Sequence, residues 1–392
     1  MNIKTIIFAI ILSSCWVGCS NKKPNVPPTI QKLDNLTTYS ADTSPAVDIH
    51  LEKEQVFAHT SEALLGPLTA LAVDEAGRVY MADGEQLNIS VYTPNGRFLT
   101  QLGREGKGPG EFIDLSSIQA TENKLFVYDR TQQRAVVFAL DSLAHEYVVS
   151  LAGNKNQFEE LGDAYLGDLD VIGDTFLMSF SEPDKSNARS DWDRIEKTAL
   201  FYNLGEEGQI ISDKLMEAKS STEIIIPRGA MSIGTPLPFT GKLLTSSSSD
   251  GRIYMNWSND FLIKVYSSTG EYKYAFYYPY EKVPLTAETA SGAGIPEAIV
   301  ENMSSIDIED TWPALNSIKA DDEGRLWVST IIDDFEAYQW WVLDADDGHL
   351  LARFTWPRNK LIEVVKNGKL YTRETDEKTS LQHIVRYNMT ME

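Results

Sequence analysis

The stretch "AGRVYMADGEQLNISVYTPNGRFL", Ala76–Leu99, decides the fold because the chain writes it more than once. In "DGRIYMNWSNDFLIKVYSSTGEYK", Asp250–Lys273, the residues Gly77, Arg78, Tyr80, Met81, Val91, Tyr92 and Gly96 return as Gly251, Arg252, Tyr254, Met255, Val265, Tyr266 and Gly270, at a constant offset and without a gap. "EGRLWVSTIIDDFEAYQWWVLDADDGHL", Glu323–Leu350, is a third copy, longer by four residues before Val342 and Leu343. "NGKLYTRETDEKTSLQHIVRY", Asn367–Tyr387, is a weaker fourth. Self-similarity at a fixed period is the signature of a repeat architecture and outranks any single motif.

Each copy reads as short strands. Leu71-Ala72-Val73 precedes a turn, Asp74–Gly77, and Arg78–Met81 alternates polar and apolar as a half-buried strand does. Asn88–Tyr92 is a third strand. Thr93–Gly96 is a turn, because Pro94 presets φ and Asn95-Gly96 admits positive φ. Arg97–Leu102 is a fourth strand. Four antiparallel strands in about 45 residues make one blade of a β-propeller. The expected fold is therefore all-β: a six-bladed β-propeller of four-stranded blades around a central channel. The blades fall at about 67–103, 114–151, 164–216, 240–277, 315–356 and 360–390, and a seven-bladed count is the alternative. An open ring would leave sheet edges bare. Val47–Phe57, "VDIHLEKEQVF", supplies a spare strand to complete the last blade.

Two segments break the period: 221–241, between blades three and four, and 278–312, between blades four and five, where 296–303 reads as a short helix. Long irregular connections in a compact domain are more often functional than neutral, so both are expected to wall a site.

The N-terminus is a targeting segment. Lys4 is followed by the apolar run Thr5–Leu12, too short to span a bilayer, and then by Ser13-Ser14-Cys15-Trp16-Val17-Gly18-Cys19-Ser20. It resembles a bacterial lipoprotein signal, in which the cysteine after a small residue is acylated. Cys19 gives the more usual length, whereas Cys15 has the better preceding residues. An ordinary secretory signal is the other reading. Residues 1–19 are thus a signal peptide, 20–44 a polar, Pro-rich tether and 45–392 the propeller. Both cysteines fall in the signal, so the folded part has neither disulfide nor thiol chemistry. The formal charge of −22 repels nucleic acid and anionic headgroups and leaves membrane contact to the lipid.

Between blades one and two stands Gly103-Arg104-Glu105-Gly106-Lys107-Gly108-Pro109-Gly110-Glu111-Phe112. This run resembles the blade connector of NHL-type six-bladed propellers. With the lipoprotein-like start and the D-x-x-G-R turns, the chain resembles the six-bladed NHL-like propeller lipoproteins of Bacteroidetes over roughly residues 45–390. The other blade junctions lack an intact connector. The resemblance implies an extracytoplasmic propeller, usually without an assigned reaction. Physically, four glycines in eight residues permit a tight excursion to the next inner strand, and Phe112 can anchor the start of blade two. The glycine order is not that of a dinucleotide fold, Pro109 would break the helix such a fold needs, and no Ser or Thr follows Lys107 as a P-loop requires.

Catalytic signals are sparse. His50, His59, His145, His349 and His383 form no zinc-binding spacing, and no G-x-S-x-G elbow occurs. Lactonase-type propellers hold Ca²⁺ on hard oxygen ligands in the channel; here Glu111, Asp114 and Asp168, with Asn316, stand at the starts of inner strands. A ligand-binding mouth is the stronger expectation: Arg104 and Lys107 on the connector, Trp312 and Asn316 before and at the start of blade five, and Arg358 before blade six. Each also has a structural reading. Arg104 would bond loop carbonyls and Trp312 would plug a blade interface. Trp340 and Trp341 alternate across a strand, so one ring is expected in the core and the other on the surface. The expected function is a lipid-anchored, monomeric binding or scaffolding module of the cell envelope, facing periplasm or exterior, for a peptide, glycan or envelope protein, with no cofactor. The alternative is a metal-dependent propeller enzyme of lactonase or lyase type, with Ca²⁺ in its channel.

Overall fold

The structure, a computed structural model, describes residues 26–59, 65–154, 157–162, 164–173, 175–182, 190–228 and 231–392. Cys15, Cys19 and the signal segment lie outside these. Six sheets are arranged as blades. Blade one runs outward through Leu68–Val73, Val79–Asp83, Asn88–Tyr92 and Phe98–Leu102. Blade two begins at Ser117–Ala120, blade three at Tyr165–Ile172, blade four at Leu243–Ser247, blade five at Leu315–Ala320 and blade six at Leu361–Lys366. Inner strands of blades one and two, two and three, four and five, five and six, and six and one touch, while blade three also meets blade four through its fourth strand. The ring is closed by Ile49–Phe57, which pairs antiparallel with Gln382–Met391 as the outermost strand of blade six.

The repeated phrase is repeated structure. Tyr80 pairs with Val91, Tyr254 with Val265 and Trp327 with Val342, each between second and third strands. The turn before the second strand is held by one aspartate. Asp74 accepts from the Arg78 backbone N–H (2.8 Å), Arg78 Nε (2.6 Å) and the Tyr80 hydroxyl (2.9 Å). Asp321 does the same for Arg325 N–H (2.8 Å), Arg325 Nε (2.6 Å) and Trp327 Nε1 (2.8 Å). The turn glycine sits at positive φ in all three strong copies, 77° at Gly77, 86° at Gly251 and 75° at Gly324, where a Cβ would be strained. Neighbouring inner strands are tied by side chains: Gln119 both donates to Val171 O (2.8 Å) and accepts from Val171 N–H (2.9 Å), and Ser246 Oγ accepts from Ala320 N–H (2.9 Å).

Four details depart from the sequence reading. First, 221–241 is not an irregular link. Blade three's fourth strand is Met216–Arg228, and Met231–Pro236 pairs back on it as a fifth. Second, the described part of the tether is not free. Leu36–Thr38 lies parallel to Tyr272–Tyr277 as a fifth strand of blade four, Tyr39 stacks on Tyr278 (centroids 4.7 Å apart), and Ile30 is buried. The exposed outer edge of a blade is a template for such pairing. Third, Trp340 and Trp341 are both buried, because each face of a blade is covered by a neighbour: Trp341 packs toward blade four and Trp340 toward blade six. Fourth, 278–312 contains two short helices, Ala287–Gly292 and Glu297–Val300, the second inside the expected 296–303. Ile224, Leu237, Phe239, Ile295 and Trp312 from the two inserted regions share one apolar cluster. The insertions thus form a single cap over the connector ends of blades three to five.

Candidate functional site

The Gly-rich connector is bonded to itself. Arg104 donates from Nε (2.9 Å) and Nη2 (2.8 Å) to Glu111 Oε1, and Glu111 Oε2 accepts from Gly108 N–H (2.8 Å). The Gly108 amide first, and Arg104 second, hold the Glu111 carboxyl below the ordinary range. Arg134 reaches back from blade two to the carbonyls of Lys107 (3.2 Å), Gly108 (3.2 Å) and Glu111 (2.6 Å). Phe112 is fully buried beneath this loop. The side chains of Arg104 and Lys107 stand on its exposed outer surface.

Glu111, Asp114 and Asp168 do not converge as a metal-binding group. Asp114 accepts from Ser116 Oγ (2.6 Å), and Asp168 is exposed on the inner strand of blade three. Among the described residues, the acidic and histidine side chains close enough to share an ion are Asp344, Asp347 and His349. They lie at the turn between the third and fourth strands of blade five, where Asp344 accepts from the Asp346 N–H and Asp347 from the His349 N–H. Trp312, expected at the mouth, is 1 % exposed: its ring packs on Phe239 and Phe335, and its N–H donates to Thr289 Oγ1 (3.2 Å). Packing of the cap accounts for it.

Asn316 and Arg358, by contrast, are brought together. They line a cleft of about 200 Å³ between blades five and six, at the connector end, with Lys319, Trp340, Trp356 and Arg373. Arg358 lies over the rings of Tyr338 (4.3 Å) and Phe335 (4.9 Å), and its Nε donates to Ala337 O (3.0 Å). Burial lowers the pKa of Arg358 and also that of Lys319. Arg373 is ion-paired with Glu363 (2.7 Å), and Lys360 lies 3.5 Å from Glu374. Asn316 and Arg358 were visible in the sequence because they flank blade starts. Lys319, Trp356 and Arg373 were not, because they sit inside strands. One signal was available: Lys319 stands where the first copy has Ala72, and a lysine at an inner-strand position needs a reason.

A larger cavity, about 630 Å³, opens at the opposite end of the channel among first-turn residues such as Glu75, Glu122, Ser248 and Lys366. Its charges are compensated in part, Lys366 pairing with Glu75 at 2.7 Å. These residues belong to the turns that read as purely structural in the sequence. No helix among the described residues is long and apolar enough to cross a membrane.

Comparison with known proteins supports the architecture. The model of a family described as a 6-bladed beta-propeller matches residues 59–166. A candidate exported protein of Bacteroides fragilis is similar in structure at 11 % identity and a TM-score of 0.50, covering 91 % of this chain and 99 % of that one. A member of the duf4221 family from Bacteroides vulgatus is similar at 10 % identity and a TM-score of 0.53, covering 88 % and 99 %. None of the curated proteins matches by sequence. Sheet order, ring closure and these likenesses together make the chain a six-bladed β-propeller.

Proposed function

We propose that this propeller is a lipid-anchored binding module of the cell envelope, acylated at Cys19, that engages a glycan, peptide or envelope protein on its connector face. The observation that carries the reading is the cleft between blades five and six, which gathers Asn316, Lys319 and Arg358 with aromatic rings at the side of the channel. Concave sites with a few convergent polar groups on apolar walls are what ligand recognition needs. The cap built by 221–241 and 278–312 adds a wall to that face, and Arg104 and Lys107 offer exposed cationic contacts for a partner larger than the cleft.

Two measurements on the full-length protein test the reading. Metabolic labelling with a fatty-acid analogue should mark the wild type and the Cys15→Ser variant and fail in Cys19→Ser; equal labelling of all three would overturn Cys19 as the site, and no label in any would overturn the anchor. Screening the detergent-solubilised protein against glycans and peptides should find ligands whose binding is lost in Arg358→Gln. Stoichiometric Ca²⁺ or Zn²⁺ in the purified protein, with chelator-sensitive turnover of a lactone, would replace the binding reading with the enzymatic one.

A further inference from the structure

The cleft has a chemical preference of its own, argued on the assumption that the binding reading holds. We propose that it takes an acidic sugar, a hexuronic acid whose carboxylate lies between Lys319 and Arg358 and whose ring rests on Trp356.

Charge is the first ground. In a chain of formal charge −22, this cleft presents Lys319, Arg358, Lys360 and Arg373 against a single acidic lining residue, Glu363. Arg373 is engaged by Glu363 and by the Leu68 carbonyl, and Lys360 by Glu374. Among the described residues, neither Lys319 nor Arg358 has an ion pair. Asp334 and Glu336 lie near Arg358 without reaching it, and Glu363 stands in the same relation to Lys319. Taking a cation out of water without a partner is costly, and an anion in the cleft removes that cost for both groups.

Unused donors are the second ground. Arg358 Nη2, Arg373 Nε and Trp340 Nε1 are buried without an acceptor among the described residues, and all three residues line the cleft. Unmet buried N–H groups are uncommon in folded proteins. As placed they are shut off from the cleft, so a ligand's oxygens would reach them only with a small rotation of the wall side chains, whereas half-buried Asn316 offers both a donor and an acceptor directly.

Size and shape narrow the class. At about 200 Å³ the cleft is smaller than the ~300 Å³ at which drug-sized pockets begin, so it has room for one ring, not a chain. The Trp356 N–H already donates to Lys360 O (2.7 Å), which leaves the indole as an apolar surface suited to the C–H face of a sugar. Glu363 stays in the lining and would oppose the second charge of a phosphate, whereas a carboxylate brings a single charge for Lys319 and Arg358 to balance.

Calorimetry on the full-length protein with glucuronate and galacturonate tests this, with glucose, galactose and inorganic phosphate as comparators. Both uronates, or one, should bind, and the matching neutral sugar should bind at least about tenfold more weakly, with the difference shrinking as salt rises. Arg358→Gln and Lys319→Met should each weaken uronate binding about tenfold or more. Lys319→Met should keep or raise the melting temperature, since it removes an unpaired half-buried cation, so lost binding there cannot be blamed on misfolding. Lys124→Met, at the opposite channel end, should bind as the wild type does. Equal binding of neutral and acid sugars, tighter binding of phosphate, or no uronate binding up to about 10 mM would each overturn the proposal. A neutral glycan or a peptide that binds and is lost in Arg358→Gln would overturn it while leaving the binding module intact.

Discussion

Two aspartates on this scaffold meet opposite fates. Asp321, almost fully buried, accepts four hydrogen bonds at a turn, from the Glu323 and Arg325 backbone, Arg325 Nε and Trp327 Nε1, and shares an ion pair with Arg325. Asp170, half-buried on the inner strand of blade three, lines a small cleft toward blade four and has no ion pair among the described residues. Burial first, and the charge of Asp168 second, push its pKa up to about 6. The folded value therefore lies above the unfolded one, so the native state holds this proton more tightly. Its contribution to stability is fully present below about pH 4 and is lost as pH rises toward about 6. Asp170→Asn should then match the wild type near pH 4 and exceed it at pH 7 by roughly 1–3 kcal/mol, read as the difference between urea-denaturation curves across that range. A constant difference at every pH would show that the carboxyl is not the titrating group. Blade four supplies a natural variant of the other device: Ser248 stands where Asp74 does, and the buried Tyr254 hydroxyl has no carboxylate to receive it.

At the scale of elements, the glycines and the Phe112 anchor of the connector Gly103–Phe112 were legible, but its bonding was not: Arg104 holds the Glu111 carboxylate, and Arg134 of blade two takes the loop carbonyls that the sequence had offered to Arg104. Gly103 has a φ of 72°, and a Cβ there would collide with the Phe112 ring. Gly103→Ala should cost about 2–4 kcal/mol, the sum of a left-handed conformation and an overpacked ring, measured by thermal or chemical unfolding. The same logic explains what the sequence hid. Periodicity shows which side chains leave a strand on which side, but in a propeller both sides of a blade are covered. Trp340 and Trp341 alternate as expected and are nevertheless both buried. Likewise 221–241 reads as irregular because its strand outgrows the repeat. Ile224 and Ile226 of the continuous apolar run 224–226 pack with cap residues some 60–90 positions later, and no local pattern announces that partner. The cleft was half legible for a related reason. Asn316 and Arg358 stand at blade starts, where loops meet, whereas Lys319 and Arg373 reach it from within strands of two different blades.

For the whole molecule, the deciding step is the union of its two ends. Ile49–Phe57 is registered against Gln382–Met391 from Ile49↔Met391 to Phe57↔Ile384. Fully buried Phe57 then touches Tyr371 of blade six (6.4 Å between centroids) and Tyr92 of blade one (6.2 Å), and the Tyr92 hydroxyl donates to Ala58 O (3.1 Å). The seam between last and first blade is therefore made by a segment more than 300 residues distant in the chain from its partner strand. Contacts of such sequence separation form late, because the loop they close must be ordered first. Residues 26–44 attach differently: they add a strand and the Tyr39 ring to the outside of blade four, which is already complete without them. Two truncations separate these roles. Starting the chain at residue 45 should leave a monodisperse propeller with a melting temperature lowered by a few degrees, the loss of a short edge pairing. Starting it at residue 59 should open the ring, bare the long edge Gln382–Met391 and give aggregated or unfolded protein by size exclusion and circular dichroism. Adding back a peptide of residues 45–58 should restore part of the soluble fraction, since the missing element is a strand that pairs through its backbone. A soluble, cooperatively melting chain that begins at residue 59 would mean that the blades hold the ring without this seam.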